Sequence, residues 1–307
     1  MSSTVSRPDW VSDELYPFTS RFFHTPAGNL HYIDEGRGPV FVFIHGNPSW
    51  SFEFRNVIKY LRREYRCIAV DHLGFGLSDK TFPEIESHPQ RHAERLRALL
   101  DYLEVDDVIL VMGDWGAPIG IDFAVTRPDK VKGLVITNSL AWPVNGDLHF
   151  EMFSRLMSSF IGQFMIRRFN FLINKVVPAA VGVKFALTAD VMKHYRGPML
   201  TVSDRAGSAD MPRYILEAKE WLADIWSQRE KFANKPAIIV WGGADIAYRQ
   251  KELDIWKSAL VDVSTHYYKK VGHMPAEEIP GSVAEHLRAF VSSIGLGMDA
   301  VREPVHH

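Results

Sequence analysis

Residues 108–117 read VILVMGDWGA, which is five apolar residues followed by a short segment that contains two glycines. An apolar run of this length is typical of a parallel strand that is buried on both faces, and a helix is predicted directly after it, over 117–126. A strand, a sharp turn and a helix in this order are typical of the turn that holds a nucleophile above an α/β sheet. Asp114 occupies the position of that nucleophile.

Similar runs on both sides of this segment predict the rest of the sheet. Short β-branched runs alternate with amphipathic stretches, a pattern typical of an α/β fold with a mostly parallel sheet flanked by helices. The first two runs flank the turn residues Ala27 to Asn29 and predict an antiparallel hairpin at the sheet edge. Eight strands are predicted, over 22–24, 30–33, 40–44, 67–70, 108–112, 131–137, 237–241 and 265–268; the helices between them are predicted over 52–63, 94–104, 117–126 and 283–291.

The pattern changes between residues 139 and 235, where the sequence becomes helix-like and rich in aromatic residues. A helical stretch inserted between two strands of such a sheet predicts a lid over its functional edge. We therefore expect an α/β core domain formed by 1–138 and 236–307, and a helical cap domain formed by 139–235.

Composition and net charge limit the classes of function that are expected. The chain has 307 residues, of which 46% are hydrophobic and 23% charged, and its formal net charge is −2. Nucleic-acid partners are not expected, because they require a dense basic surface. The single cysteine, Cys67, lies in an apolar run and predicts a buried structural residue. The N-terminus lacks a secretory signal pattern and no apolar stretch reaches the length of a membrane span, so we expect a cytoplasmic protein without a membrane segment.

A carboxylate at the nucleophile position favours one type of chemistry. Its attack on an electrophilic sp³ carbon forms an alkyl ester, which water then cleaves. A serine there would instead predict acyl transfer. The alternative interpretation is that Asp114 only caps the helix that follows it, which is a common role of aspartate.

The loop after the strand over 40–44 supplies nitrogen donors. It reads HGNPSW over 45–50 and is expected to face Asp114. The backbone N–H groups of Asn47 and Trp115 are suited to stabilise negative charge on the carboxyl group of the nucleophile. Their side chains, an amide and an indole, are uncharged donors that can bind a departing anion such as halide and still release it. Taken singly, each residue is more often structural.

The base is expected late in the chain. His273 follows a strand-like run, and an imidazole takes and releases a proton near neutral pH. Asp245, just after the strand over 237–241, is the acid expected to orient it. Asp262 and Glu277 are weaker alternatives by position. His45 and His72 are expected to form structural hydrogen bonds, and the histidines show no metal-ligand spacing.

These segments together resemble the haloalkane dehalogenase family, in the loop 45–50, the turn 113–116 and the loop 272–274. The resemblance extends from about Phe18 to Ile294 and implies an α/β-hydrolase fold. It implies Asp114 as nucleophile and His273 as base, with the acid at Asp245. It also implies that Asn47 and Trp115 bind halide, and that a small apolar halogenated substrate and water react without cofactor or metal. One branch of the family has its acid where this chain has Asn138, and many relatives have a smaller residue than Met112.

Two alternatives remain at the level of sequence. An epoxide hydrolase shares the aspartate nucleophile and uses two lid tyrosines, for which Tyr195 and Tyr214 are available; Asn47 favours the dehalogenase, because epoxide hydrolases commonly have an aromatic residue there. The second alternative is a receptor of the same fold that binds a ligand with little or no turnover.

Overall fold

An eight-stranded sheet forms the centre of the molecule. The computed structural model describes residues 7–80 and 87–296. The strands are β1 Arg21–Thr25, β2 Gly28–Glu35, β3 Val40–Ile44, β4 Arg66–Val70, β5 Val108–Met112, β6 Val131–Thr137, β7 Ala237–Gly242 and β8 Val263–Tyr268. They lie in the order β1-β2-β4-β3-β5-β6-β7-β8. All eight predicted strands are confirmed, with ends that differ from the prediction by about two residues or fewer.

The sheet is antiparallel only at one edge. β1 and β2 form the predicted hairpin, and β2 also pairs antiparallel with β4. Every other pairing is parallel. The hairpin turn depends on Gly28, whose φ of 142° is rarely adopted by a residue with a side chain. β3, β5, β6 and β7 therefore end at the same edge of the sheet, where the loops with the predicted site residues begin.

Helices cover both faces of the sheet. They are α1 Arg55–Leu61, α2 Pro89–Tyr102, α3 Gly116–Thr126, α4 Leu148–Ser158, α5 Phe160–Phe169, α6 Val177–Ala180, α7 Ala189–Arg196, α8 Ala206–Glu217, α9 Lys219–Ser227, α10 Glu230–Ala233, α11 Gln250–Ala259, α12 Pro275–Glu278 and α13 Pro280–Ser293. α2 begins five residues before its predicted start, because Pro89 suits the first turn and the His88 side chain caps it by accepting from the backbone N–H of Gln90. α1 begins later than predicted, because Ser51–Phe54 forms a separate 3-10 turn.

The chain between β6 and β7 consists of helices joined by turns and loops. Residues 138–236 are all described, and they form α4 to α10 with no strand among them, as the sequence predicts. These helices have a small apolar cluster of their own, formed by Met157, Ile166, Leu172 and Ala209. No helix in the described ranges is both long and apolar enough to cross a bilayer.

The sheet core accommodates the unusual residue of the β5 turn. Met112 is fully buried, and a Cβ atom placed on Gly120 of α3 would lie 2.3 Å from the Met112 sulfur. The large side chain at position 112 therefore fits because α3 has a glycine opposite it. Cys67 is also buried, as predicted, and burial raises the pKa of its thiol far above the ordinary value.

Candidate active site

Asp114 lies at a strained turn between β5 and α3. Its φ is 49°, in the left-handed region that few residues other than glycine occupy. Close approach on both sides requires glycine. A Cβ atom on Gly46 would lie 2.3 Å from the Cβ of Asp114, and one on Gly116 would lie 2.0 Å from the carbonyl oxygen of Ile44. The turn thus projects Asp114 towards the loop after β3, as expected of a nucleophile position.

The Asp114 carboxylate accepts hydrogen bonds from two different loops. Its Oδ1 accepts from the backbone N–H of Asn47 at 2.8 Å, and its Oδ2 accepts from the hydroxyl of Tyr248 at 3.0 Å. The Nε2 atom of His273 lies 3.6 Å from Oδ2. The interpretation of Asp114 as a helix cap is wrong, because α3 begins at Gly116 without a side-chain cap.

His273 is held by Asp245 at a partly buried position. Its Nδ1 lies 2.9 Å from the Oδ2 atom of Asp245, whose side chain is completely buried. Burial lowers the pKa of His273, but the Asp245 carboxylate opposes this by charge and by hydrogen bonding, and Asp114 and Glu53 add their charges. The resulting pKa is about 10. The imidazolium form of His273 is therefore favoured near neutral pH, chiefly through Asp245.

Asp245 is held in one orientation, because both of its carboxylate oxygens accept hydrogen bonds. Its Oδ2 also accepts from the Asn138 amide at 2.9 Å, and its Oδ1 accepts from the backbone N–H of Ala247 at 2.7 Å. Asn138 is fastened in turn to the backbone of Gly242, to which it donates and from which it accepts, each at 2.8 Å. The residue at the end of β6 thus supports the carboxylate at the end of β7. From the sequence, Asn138 stands only where one branch of the family has its acid. Its support of Asp245 was not predicted.

The loop that carries His273 is shaped by Glu278. The Glu278 carboxylate accepts from the backbone N–H groups of Gly272 and Met274, and from those of Gly182 and Val183 after α6. The backbone N–H of His273 also donates to the carbonyl of Ala180. The histidine loop is therefore tied to the helical segment that precedes it, which fixes the imidazole relative to that segment.

The predicted anion donors lie in the same cavity. Asn47 and Trp115 line a cavity of about 160 Å³ together with Asp114, Tyr248 and His273. Trp115 is 8% exposed. Within the described parts of the chain, neither the Asn47 side-chain amide nor the Trp115 indole forms a hydrogen bond, and the Asn47 Oδ1 atom is buried without a partner. The two N–H donors are therefore available to a bound anion. The remaining wall is mostly apolar and includes Pro118, Leu140, Val144, Phe150, Phe153, Leu172, Val176, Val177, Ile215, Leu222 and Ile246.

Tyr248 is a site residue that was not predicted from the sequence. Its ring stacks on His273 with centroids 5.6 Å apart and an angle of 11° between the planes. Burial first, then the charge of Asp114 and the hydrogen bond to it, raises its pKa well above the ordinary value. The phenol is therefore a permanent donor. Its place three residues after Asp245 is the only local signal that points to it.

The two tyrosines considered for epoxide opening do not meet over Asp114: Tyr195 lines only a second, smaller cavity beside it, and Tyr214 lines neither of the two cavities. Tyr195 donates its hydroxyl to Glu277 at 2.5 Å, and the Tyr214 hydroxyl accepts from Arg213 at 2.8 Å. Neither lines the cavity with Trp115. The two weaker acid candidates, Asp262 and Glu277, are not the partner of His273 either, because Asp245 is.

His45 and His72 are structural, as predicted. The His45 ring bonds to the carbonyl of Gly46 at 2.8 Å and accepts from the backbone N–H of His72 at 3.0 Å. Burial lowers the pKa of both residues, so both stay neutral. No cluster of three or more metal-ligating side chains occurs in the residues that the structure describes.

Comparison with known proteins agrees with this geometry. A family model described as alpha/beta hydrolase fold matches residues 39–280. The chain is 39% identical over 247 residues to haloalkane dehalogenase 2 of Mycobacterium tuberculosis, covering 80% of this chain and 85% of that protein. It is 31% identical to cis-3-alkyl-4-alkyloxetan-2-one decarboxylase of Shewanella oneidensis, covering 91% of this chain and 90% of that protein.

Solved structures are similar as well. A putative ancestral haloalkane dehalogenase superposes with a TM-score of 0.78 at 26% identity, covering 89% of this chain and 99% of that one. The sheet, the turn at Asp114 and these matches define an enzyme of the α/β-hydrolase fold. Within this class, the chain belongs to the haloalkane dehalogenase family.

Proposed function

We propose that this enzyme hydrolyses the carbon–halogen bond of small haloalkanes to an alcohol, a halide ion and a proton. The observation that carries the proposal is that one carboxylate, Asp114, borders an apolar cavity together with two uncharged N–H donors, Asn47 and Trp115. The cavity volume of about 160 Å³ is close to the ~150 Å³ of an apolar protein cavity that accommodates benzene. Substrates with about six heavy atoms therefore suit it.

In the first step, a carboxylate oxygen of Asp114 displaces the halide. A new carbon–oxygen bond forms as the carbon–halogen bond breaks, and the halide leaves with the electron pair of the broken bond. The amide of Asn47 and the indole of Trp115 donate to the halide as its charge develops. Because these donors carry no full charge, they stabilise the anion without holding it permanently.

The second step requires His273 as a base. Alkylation of Asp114 removes one of the negative charges that raise the pKa of His273, so the imidazolium gives up its proton more readily in the ester than in the free enzyme. The neutral imidazole, oriented by Asp245, then takes a proton from water that attacks the ester carbonyl. The products are the alcohol and the regenerated carboxylate. Water is the only co-reactant that the two steps need.

The helical segment acts as the cap in this proposal. We assign residues 139–235 to a cap and the described parts of 1–138 and 236–307 to the core; residues 1–6, 81–86 and 297–307 lie outside the described residues. Phe150 of α4 and Val177 of α6 line the same cavity as Asp114 of the core. Substrate bound there is enclosed between the two parts, which excludes bulk water from the displacement step.

Substitution of the base separates the two half-reactions. A His273→Phe variant is expected to release about one halide per active site from 1-bromohexane and then stop, with an alkyl adduct on Asp114. Mass spectrometry of the intact protein and of its peptides measures the adduct, and Asp114→Asn should abolish both burst and adduct. His24→Phe, on an exposed part of β1, is the matched control. Repeated turnover by His273→Phe without adduct contradicts the assignment, and binding without any bromide release by the wild type favours a receptor.

A second candidate is the opening of a strained oxygen ring. Tyr248 supports it, because a phenol kept protonated by burial can donate to an oxygen leaving group, whereas halide departure does not need such a donor. The relative from Shewanella oneidensis carries an oxetan-2-one decarboxylase name. A cis-3,4-dialkyl oxetan-2-one is the test substrate, with alkene and carbon dioxide as the measured products. If its kcat/KM exceeds that for 1-bromohexane, ring opening replaces dehalogenation as the main activity.

A further inference from the structure

A second, smaller cavity adjoins the carboxylate of Asp114. Its volume is about 20 Å³, which exceeds the ~10–15 Å³ that one water molecule requires. Asp114 and His273 line both cavities, but the surroundings differ. Gly46 and Gly113 line only the smaller one, whereas Trp115 lines only the larger one. The carboxyl group of Asp114 is therefore accessible from an apolar space and, separately, from a space of the size of one water.

Glu53 is a carboxyl group in the lining of the smaller cavity that has no role in the two steps proposed above. It lies in the 3-10 turn after β3 and is only 9% exposed. It forms no ion pair with any residue that the structure describes. The nearby guanidinium of Arg55 is taken by Glu277, which it contacts at 2.5 and 2.6 Å, and the Tyr195 hydroxyl donates to the same carboxylate.

The charge state of Glu53 agrees with its burial at a small enclosed cavity. Burial raises its pKa most, the Ser49 hydroxyl and His273 lower it, and the charges of Glu277 and Asp114 raise it again, so that the resulting pKa is about 7. Near neutral pH the carboxyl group therefore exchanges between its protonated and ionised forms. In both forms it keeps a carbonyl-type oxygen that accepts a hydrogen bond.

We propose that the smaller cavity is the binding site of the hydrolytic water and that Glu53 positions this water. The inference rests on the proposed ester intermediate. A water that donates one hydrogen to Nε2 of His273 and the other to an oxygen of Glu53 has its lone pairs left for the Cγ atom of Asp114. This geometry requires an acceptor at position 53 in addition to the base.

The step balances without a further reactant. The water oxygen forms a bond to Cγ of Asp114, and its proton passes to Nε2 of His273. The bond between Cγ and the alkyl oxygen then breaks as that oxygen takes the proton from His273 and leaves as the alcohol. The new carboxyl group of Asp114 loses its remaining proton to solvent. Glu53 neither gains nor loses a proton overall, and it acts only by holding the water.

Two substitutions at position 53 distinguish positioning from a general structural role. Glu53→Leu removes the acceptor at similar size, and Glu53→Gln retains a carbonyl oxygen. With 1-bromohexane, Glu53→Leu is expected to keep the burst of bromide within about threefold while steady turnover falls by about 10- to 100-fold. The alkyl adduct should then accumulate in rapidly quenched samples. Glu53→Gln should recover most of the lost turnover, and Glu220→Leu, at an exposed glutamate of α9, is the control.

The outcomes separate this inference from the proposed function. Equal loss of burst and turnover in Glu53→Leu, or full turnover without adduct, overturns the role of Glu53. A high-resolution crystal structure of the free wild-type protein gives an independent readout. Water within hydrogen-bond distance of both Glu53 and Nε2 of His273 supports the site, and a dry cavity overturns it. If the water is present but no bromide is released, the proposed function fails while the binding site stands.

Discussion

Replacement of Glu53 by glutamine should remove part of the pH dependence of folding stability. The carboxyl group has an ordinary pKa of 4.5 and a pKa of about 7 in the folded protein, mainly because of burial. The folded state therefore binds its proton more tightly than the unfolded state. The associated stability is fully present below pH 4.5 and is lost as the pH rises to about 7 and above.

The magnitude follows from the size of this difference. At ~1.4 kcal/mol per pH unit, the difference corresponds to about 3 kcal/mol, of which about 2 kcal/mol is lost between pH 5 and pH 8. Glutamine is similar in size and never ionises, so Glu53→Gln should gain about 2 kcal/mol relative to the wild type when the two are compared at pH 8 instead of pH 5.

Urea unfolding of both proteins at the two pH values measures this effect. Taking the difference between proteins cancels the contributions of the titrating groups that do not interact with Glu53. Glu220→Gln, at an exposed residue, should show no comparable change with pH. If the stability of Glu53→Gln relative to the wild type is the same at pH 5 and pH 8, the carboxyl group is not held protonated, and the reasoning from burial is refuted.

Three further substitutions test the site and its turn. Trp115→Phe keeps the ring but removes the indole N–H, and it should slow the bromide burst by about 10- to 100-fold; an unchanged burst with slower adduct hydrolysis would place the indole in the wrong step. Tyr248→Phe removes a hydrogen-bond donor from the Asp114 carboxylate and should accelerate alkylation by up to about fivefold, as measured by stopped-flow halide release. A large loss of activity confined to oxetan-2-one opening would instead favour ring opening as the function. Gly116→Ala should lower the free energy of unfolding in urea by about 3 kcal/mol or more, because its Cβ would lie 2.0 Å from a backbone carbonyl oxygen. Gly281→Ala, whose Cβ would meet nothing within 4 Å, is the control and should be neutral or slightly stabilising. Equal effects of the two substitutions would contradict the steric argument.

The hydrogen bond from Asn138 to Asp245 explains how this chain can have its acid after β7 and not after β6. Asn138 has no charge with which to stabilise an imidazolium, but its amide donates to Asp245 and also holds Gly242. The asparagine at the end of β6 therefore contributes to the orientation of His273 indirectly. A positioning role of this kind is invisible when each position is judged only by whether it can serve as the acid.

The sequence alone determined the sheet, the turn and the residues that meet there. Apolar runs of strand length specify buried parallel strands, because both faces of such strands must avoid water. In the strand order that the structure shows, Asp114, Asp245 and His273 come from loops at one edge of the sheet. Local patterns are sufficient for this part because each element is encoded within about ten consecutive residues.

Tertiary structure decided which further groups touch the reacting atoms. Tyr248 and Asp114 are separated by 134 positions, and Asn138 and Asp245 by 107. Glu53 resembles an ordinary surface glutamate in the sequence, yet it is buried at a cavity beside the nucleophile. Hydrogen bonds and burial at these positions depend on strand register and on the exact course of loops, which are set by packing across the whole core and not by neighbouring residues.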